Sequence, residues 1–278
     1  MFDQMRIEKI AKHLYESHAS KSRFENLSGD LAPGSVLDAY KVQEALNRLW
    51  EQGGRGAVSG YKIALTSKAI QELVGVDKPV GAAVFSSTVH ESPANIELDQ
   101  FIRLGLEFEL AFEISKDIPE NTHYDAESVS AFVKAIMPAF ELIEDRDADY
   151  SNLDPMTLIA DNAWCGGVIL GSPKYDWQSI DLSSTPVNLS FNSNVERATT
   201  GDAMGNPLNS LAWLANLLIE QGRPLKKGNI VMSGSTLATK FASRDDHAIY
   251  SIDGVGSVEV WVKSVSYTHL TLPTNREV

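Results

Sequence analysis

Apolar and polar residues alternate from Leu104 to Ile114. Leu104, Leu106, Phe108, Leu110, Phe112 and Ile114 share one side, and Glu107, Glu109 and Glu113 share the other. A period of two predicts a strand with one apolar face. Elsewhere the period is helical. Ile7, Ile10, Ala11 and Leu14 predict a helix over 6–18. Val36, Ala39, Val42, Leu46 and Leu49 predict another over 35–52, stopped by Gly53-Gly54. A strand over 58–65 and a short helix over 67–73 follow. Val129, Phe132, Val133 and Ile136 predict a helix over 126–136, ended by Pro138 and followed by a strand over 139–144. The second half predicts a buried strand at 167–170 and a hairpin about Asn192-Ser193-Asn194. A helix then runs from Pro207 to Gln221, closed by Gly222, with strands at 230–233 and 258–262. No repeat, linker or low-complexity block interrupts this order. Helices and strands mix early and strands dominate late, so the predicted class is α+β.

The glutamates of the alternating strand carry the candidate chemistry. Residues two apart on a strand point the same way, so Glu107 and Glu109 lean to one side. Glu141, in Pro138-Ala139-Phe140-Glu141, offers a third carboxylate from another segment. Three such groups suit an all-oxygen site for Mg²⁺ or Mn²⁺ better than one for Zn²⁺. A strand with one solvated face shows the same alternation, and the pattern alone leaves both readings open.

Composition narrows the class. A net charge of −13 with no basic run argues against nucleic acid and anionic membranes as partners. No apolar run is long enough for a membrane helix, and Met1 to Lys9 has no apolar segment of the secretory kind. The single cysteine, Cys165, excludes an intrachain disulfide and fits the reducing cytoplasm. No phosphate-binding loop and no His-Glu-x-x-His occurs. Gly54-Arg55-Gly56-Ala57-Val58-Ser59-Gly60 lies between a helix and a strand, the reverse of the order a dinucleotide loop needs. The histidines are scattered without metal-ligand spacing.

Several segments occur together in one order. They are Gly60-Tyr61-Lys62-Ile63-Ala64-Leu65-Thr66-Ser67, Gly75-Val76-Asp77-Lys78-Pro79, Leu106-Glu107-Phe108-Glu109-Leu110-Ala111-Phe112 and Pro138-Ala139-Phe140-Glu141. Ile159-Ala160-Asp161-Asn162-Ala163, Gly205-Asn206-Pro207-Leu208 with Ala212-Trp213-Leu214-Ala215-Asn216, and Gly254-Val255-Gly256-Ser257-Val258 follow. Together they resemble the hydratase/decarboxylase branch of the fumarylacetoacetate hydrolase superfamily, from about residue 37 to 262. The resemblance implies a mixed β-roll with flanking helices, a divalent cation (Mg²⁺ or Mn²⁺) and a homo-oligomer, with a pathway enzyme as a possible partner. It implies Glu107, Glu109 and Glu141 as metal ligands, which decides between the two readings of the strand. It further implies Lys62 as an active-site polar residue, the first catalytic candidate. Asp161 and Asn162 are the other catalytic candidates, and Thr66, Ser67 and Arg146 are the candidate substrate contacts. Lys62 either orients the substrate carboxylate or, if burial beside the metal depresses its pKa, shuttles a proton. Asp161 and Asn162 either position water or cap a turn. Arg146 either meets substrate or pairs with Glu144 and Asp145.

The implied activity is hydration of a small 2-hydroxydienoate or 2-oxoenoate, of the 2-oxopent-4-enoate kind, in aromatic catabolism. Decarboxylation of a 2-oxo-enedioate, C–C hydrolysis of an acylpyruvate, or service as an inert partner subunit are the alternatives. The sequence departs from the usual pattern at Val80, Trp164 and Asn206, which alters the surroundings of the site rather than its carboxylates. The expected organisation is a helical segment over 1–55, a catalytic β-roll over 56–265 and a tail over 266–278. That tail, from Ser266 onward, continues no burial pattern and resembles a translated adapter read-through, so it is excluded from the fold.

Overall fold

The computed structural model describes residues 3–66, 71–72 and 75–264. Ser67, most of the short helix expected over 67–73 and the tail from 266 lie outside the described residues. Two helices open the chain, α1 (Gln4–Ala19) and α2 (Val36–Trp50). Ser35 caps α2 by accepting from the Asp38 N–H. Thirteen strands follow among the described residues: β1 Val58–Ala64, β2 Val80–Phe85, β3 Val89–Glu91, β4 Ala94–Glu97, β5 Leu104–Ile114, β6 Val133–Glu144, β7 Cys165–Leu170, β8 Pro186–Phe191, β9 Asn194–Thr199, β10 Ile230–Met232, β11 Lys240–Phe241, β12 His247–Ile252 and β13 Gly256–Lys263. Helices α3 (Ala126–Ser130), α4 (Pro155–Ala160) and α5 (Pro207–Glu220) lie between them.

The strands form two sheets. The larger runs β2-β1-β10-β5-β6-β7-β3, with β11 added to β5; the smaller runs β4-β13-β12-β8-β9. The apolar row of β5 faces the main core, with Phe140 and Leu142 of β6, Tyr250, Val258 and Val260 of the small sheet, and Leu211 and Leu214 of α5. Strand β2, at one edge of the large sheet, touches β7 near the other, so the sheet curls into a roll. Its inner face carries a small apolar set that includes Val84, Ala111, Met137, Ala139, Val168 and Met232. A further core packs α1, α2 and α4 against β2, through Ile10, Leu14, Val42, Leu46, Ala82 and Phe85.

One element departs from the sequence reading. The helix expected over 126–136 stops at Ser130, and β6 runs unbroken through Pro138. Pro138 lies opposite Leu110, whose carbonyl is served by the Ser233 N–H on the far side of β5. Those two residues therefore form a pair that exchanges no ladder hydrogen bonds. The missing N–H of Pro138 faces the side where β7 has ended and only Gly171 N–H reaches its carbonyl, so no ladder bond is lost. Strands β2, β3, β4, β11 and β12 carry no pattern that the sequence reading picked out.

Candidate functional site

The register of β5 against β6 builds the acidic centre. Glu107 sits directly opposite Glu141, and Glu109 is opposite Ala139, one diagonal step from Glu141. All three carboxylates point into the roll, and each offers an oxygen within 4.8 Å of the others. Glu109 and Glu141 are fully buried, so this face is not the solvated side of an antiparallel strand. Like charges placed directly across a ladder repel. Burial raises the pKa of Glu109, and the fields of Glu141 and Glu107 raise it further. Burial likewise pushes Glu141 up to about 7, against the opposing pull of Lys62.

Lys62 enters from β1, three strands from β6. In a flat sheet that separation would be roughly 14 Å, beyond a lysine's reach. Across the curled sheet its Nζ lies 2.9 Å from Glu141 Oε1. Lys62 is 1% exposed. Burial works to lower its pKa, but the fields of Glu141 and Glu107 and the hydrogen bond to Glu141 outweigh it, and the net shift is upward. The pKa depression on which a proton-shuttling Lys62 would depend is opposed here by the adjacent carboxylate.

Two contributors escaped the sequence reading. Gly234 N–H donates to Glu109 Oε2 at 2.7 Å, and Thr239 Oγ1 donates to Glu107 Oε1 at 2.7 Å. Both come from the irregular stretch after β10, where nothing in the sequence spacing ties them to a glutamate. Gly234 has φ of +101°, and a Cβ there would come within 2.6 Å of Thr66 Cγ2. Thr66 therefore packs against the loop that holds Glu109.

Asp161, Asn162 and Arg146 gather in a separate group. Asp161 Oδ2 accepts from Arg146 Nη2 at 2.6 Å, and its Oδ1 is 2.6 Å from His18 Nε2. Burial opposes the Asp161 charge, yet His18 and then Arg146 hold its pKa below the usual carboxylate range. Arg146 thus pairs with Asp161 rather than with the neighbouring acids; Asp145 is taken by Arg103. Asn162 closes both its amide atoms on Ala83, accepting from N–H at 2.8 Å and donating to C=O at 2.9 Å. Trp164, where the resemblance suggests a small polar residue, stacks edge-on against Phe24 and Tyr150.

Residues 62–263 match the fumarylacetoacetate (FAA) hydrolase C-terminal family. The chain belongs to that family. A 2-keto-4-pentenoate hydratase of Burkholderia vietnamiensis is 33% identical over 93% of this chain and 98% of its own length. A 2-hydroxyhexa-2,4-dienoate hydratase of Comamonas testosteroni is 30% identical over 94% of this chain and 98% of its own. Among solved structures, 4-oxalocrotonate decarboxylase from Pseudomonas putida G7, complexed with magnesium and adipate, superposes with a TM-score of 0.85. It is 24% identical and covers 94% of this chain and 98% of its own, which establishes the shared mixed α and β architecture. No helix among the described residues is long and apolar enough to cross a membrane.

Proposed function

We propose that this chain is a divalent-metal-dependent hydratase adding water to a small 2-hydroxydienoate or 2-oxoenoate, giving a 4-hydroxy-2-oxo acid. The observation that carries this reading is the buried convergence of Glu107, Glu109 and Glu141 beside Lys62, in a chain alike in length to hydratase relatives. The carboxylates fit a hard cation. Glu109 Oε1 and Glu141 Oε2 accept no hydrogen bond from any described residue. Three carboxylates against one ammonium leave an excess of negative charge that an oxygen-seeking divalent ion balances. Glu107, Glu109 and Glu141 would hold Mg²⁺ or Mn²⁺.

When bound, the cation would supply Lewis-acid polarisation of the substrate's 2-oxygen. The chain's own residues do the rest. Lys62, kept charged by Glu141, presents N–H donors to a substrate carboxylate and holds a proton within the roll. Gly234 and Thr239 fix the rotamers of Glu109 and Glu107 through their hydrogen bonds. Thr66, which packs against the loop at Gly234, and Ser67, its neighbour in sequence, are the proposed substrate contacts. Asp161, Asn162 and Arg146 act at a remove by holding the turn that leads into β7.

The test is turnover of purified protein with Mg²⁺ and a 2-hydroxydienoate. Loss of dienoate absorbance without CO₂ is expected. Stoichiometric CO₂ from a 2-oxo-enedioate would make the chain a decarboxylase, and inertness toward every such acid would make it a supporting subunit. Glu107→Gln should abolish Mg²⁺-dependent turnover. Its metal-free melting temperature should hold or rise, since neutralising one of three like charges relieves repulsion. Turnover that survives in this variant across a Mg²⁺ titration sinks the metal assignment.

A further inference from the structure

A cavity of about 220 Å³ opens where the end of α1 meets the turn after α2 and the ends of β6 and β7. His18, Lys21, Arg55, Glu144 and Arg146 supply its titratable groups, and none of the clustered glutamates lines it. Three permanent cations in one small cavity stand out on a chain of net charge −13. Their present partners leave positive charge uncompensated. Arg146 is matched by Asp161, yet its buried Nε donates to no described residue. Among the described residues, Lys21 Nζ donates to a backbone carbonyl, that of Asp99. The Glu144 carboxylate is occupied by the backbone N–H groups of Ile102, Arg103 and Arg146. Arg55 lies over the Trp50 ring at 4.1 Å, and no described carboxylate comes within ion-pair distance of it. Arg55 is part-buried, and a planar oxyanion would satisfy its fork of donors.

We propose that this cavity binds a small oxyanion, a carboxylate or inorganic phosphate, at a site distinct from the metal cluster. Arg55 is its principal ligand, with Lys21 and Arg146 completing the positive field. A short carboxylate would come from a small organic acid of the kind handled at the roll's interior; phosphate would come from the medium. The site borders Asp161 through Arg146 and His18, so occupancy would bear on the turn that leads into β7.

The test is calorimetric titration of metal-free, full-length protein with succinate and, separately, with inorganic phosphate. Saturable binding of at least one is expected, and the tighter of the two identifies the source. Arg55→Gln should weaken it by about tenfold or more, as loss of a charge-assisted pair does. Lys21→Gln, at an exposed position, should weaken it several-fold without affecting folding, and Arg55→Lys should retain part of the affinity. Glu107→Gln should bind as the parent does. No saturation by ~10 mM for either anion overturns the proposal. So does parental affinity in both Arg55→Gln and Lys21→Gln, or loss in Glu107→Gln alone.

Discussion

Asn162, Ala163 and Trp164 all have positive φ, at 53°, 44° and 59°. Each L-residue in that region is held against a cost of about 1 kcal/mol or more, so three in a row need strong tethers. Two are visible: the Asn162 bracket on Ala83 and the Asp161 pairing with His18 and Arg146. Asn162→Ala should therefore lower stability by about 2–4 kcal/mol, read from urea denaturation, because two buried backbone groups lose their partners. Asp161 gives a pH signature. Its folded pKa is depressed, so its stabilisation is complete above the unfolded carboxylate value and is lost as pH falls through the lower folded value. Asp161→Asn should cost about 3 kcal/mol at neutral pH. It should also flatten the acid limb of the stability curve below roughly pH 4. An unchanged acid limb would mean that the contacts of Asp161 with Arg146 and His18 contribute nothing.

At the scale of elements, α2 is bolted to the roll by polar contacts as well as by its apolar face. Gln43 Nε2 donates to the carbonyls of Gly81 and Ile159, and Gly81 N–H donates to the Tyr40 hydroxyl. The helical segment over 1–55 was expected to pack on the core as a unit of the chain, and we propose that the roll does not fold without it. Deleting residues 1–55 would expose Val80, Ala82 and Phe85, so the truncated protein should be insoluble or bind a hydrophobic dye. A soluble, cooperatively melting 56–265 fragment would show that the roll is autonomous. Gln43→Ala should cost about 1–3 kcal/mol by leaving two buried carbonyls with fewer donors. Helix periodicity and caps were legible here because they are local. The end of α3 was not, because a tertiary ladder overrode the helical spacing of Val133 and Ile136 and tolerated Pro138 in mid-strand.

For the molecule as a whole, strand β13 completes the small sheet by Lys263, and the sequence beyond it lacks a burial face. Truncation after Val265 should leave melting temperature and turnover unchanged; a lower melting temperature would assign those residues to the fold. The sequence by itself determined the strand that carries Glu107 and Glu109, the partner segment that carries Glu141, and their resemblance to a family later matched over 62–263. Alternation and short motifs are local properties, and local properties survive in one dimension. Only the tertiary structure decided that the glutamate face is interior. It also decided that Lys62 reaches Glu141, that Gly234 and Thr239 hold the carboxylates, and that Asp161 and Arg146 pair elsewhere. The Lys62 contact depends on the curl that brings β1 across to β6. That curl is set by how two sheets and the helices bury their faces together, which no single segment encodes.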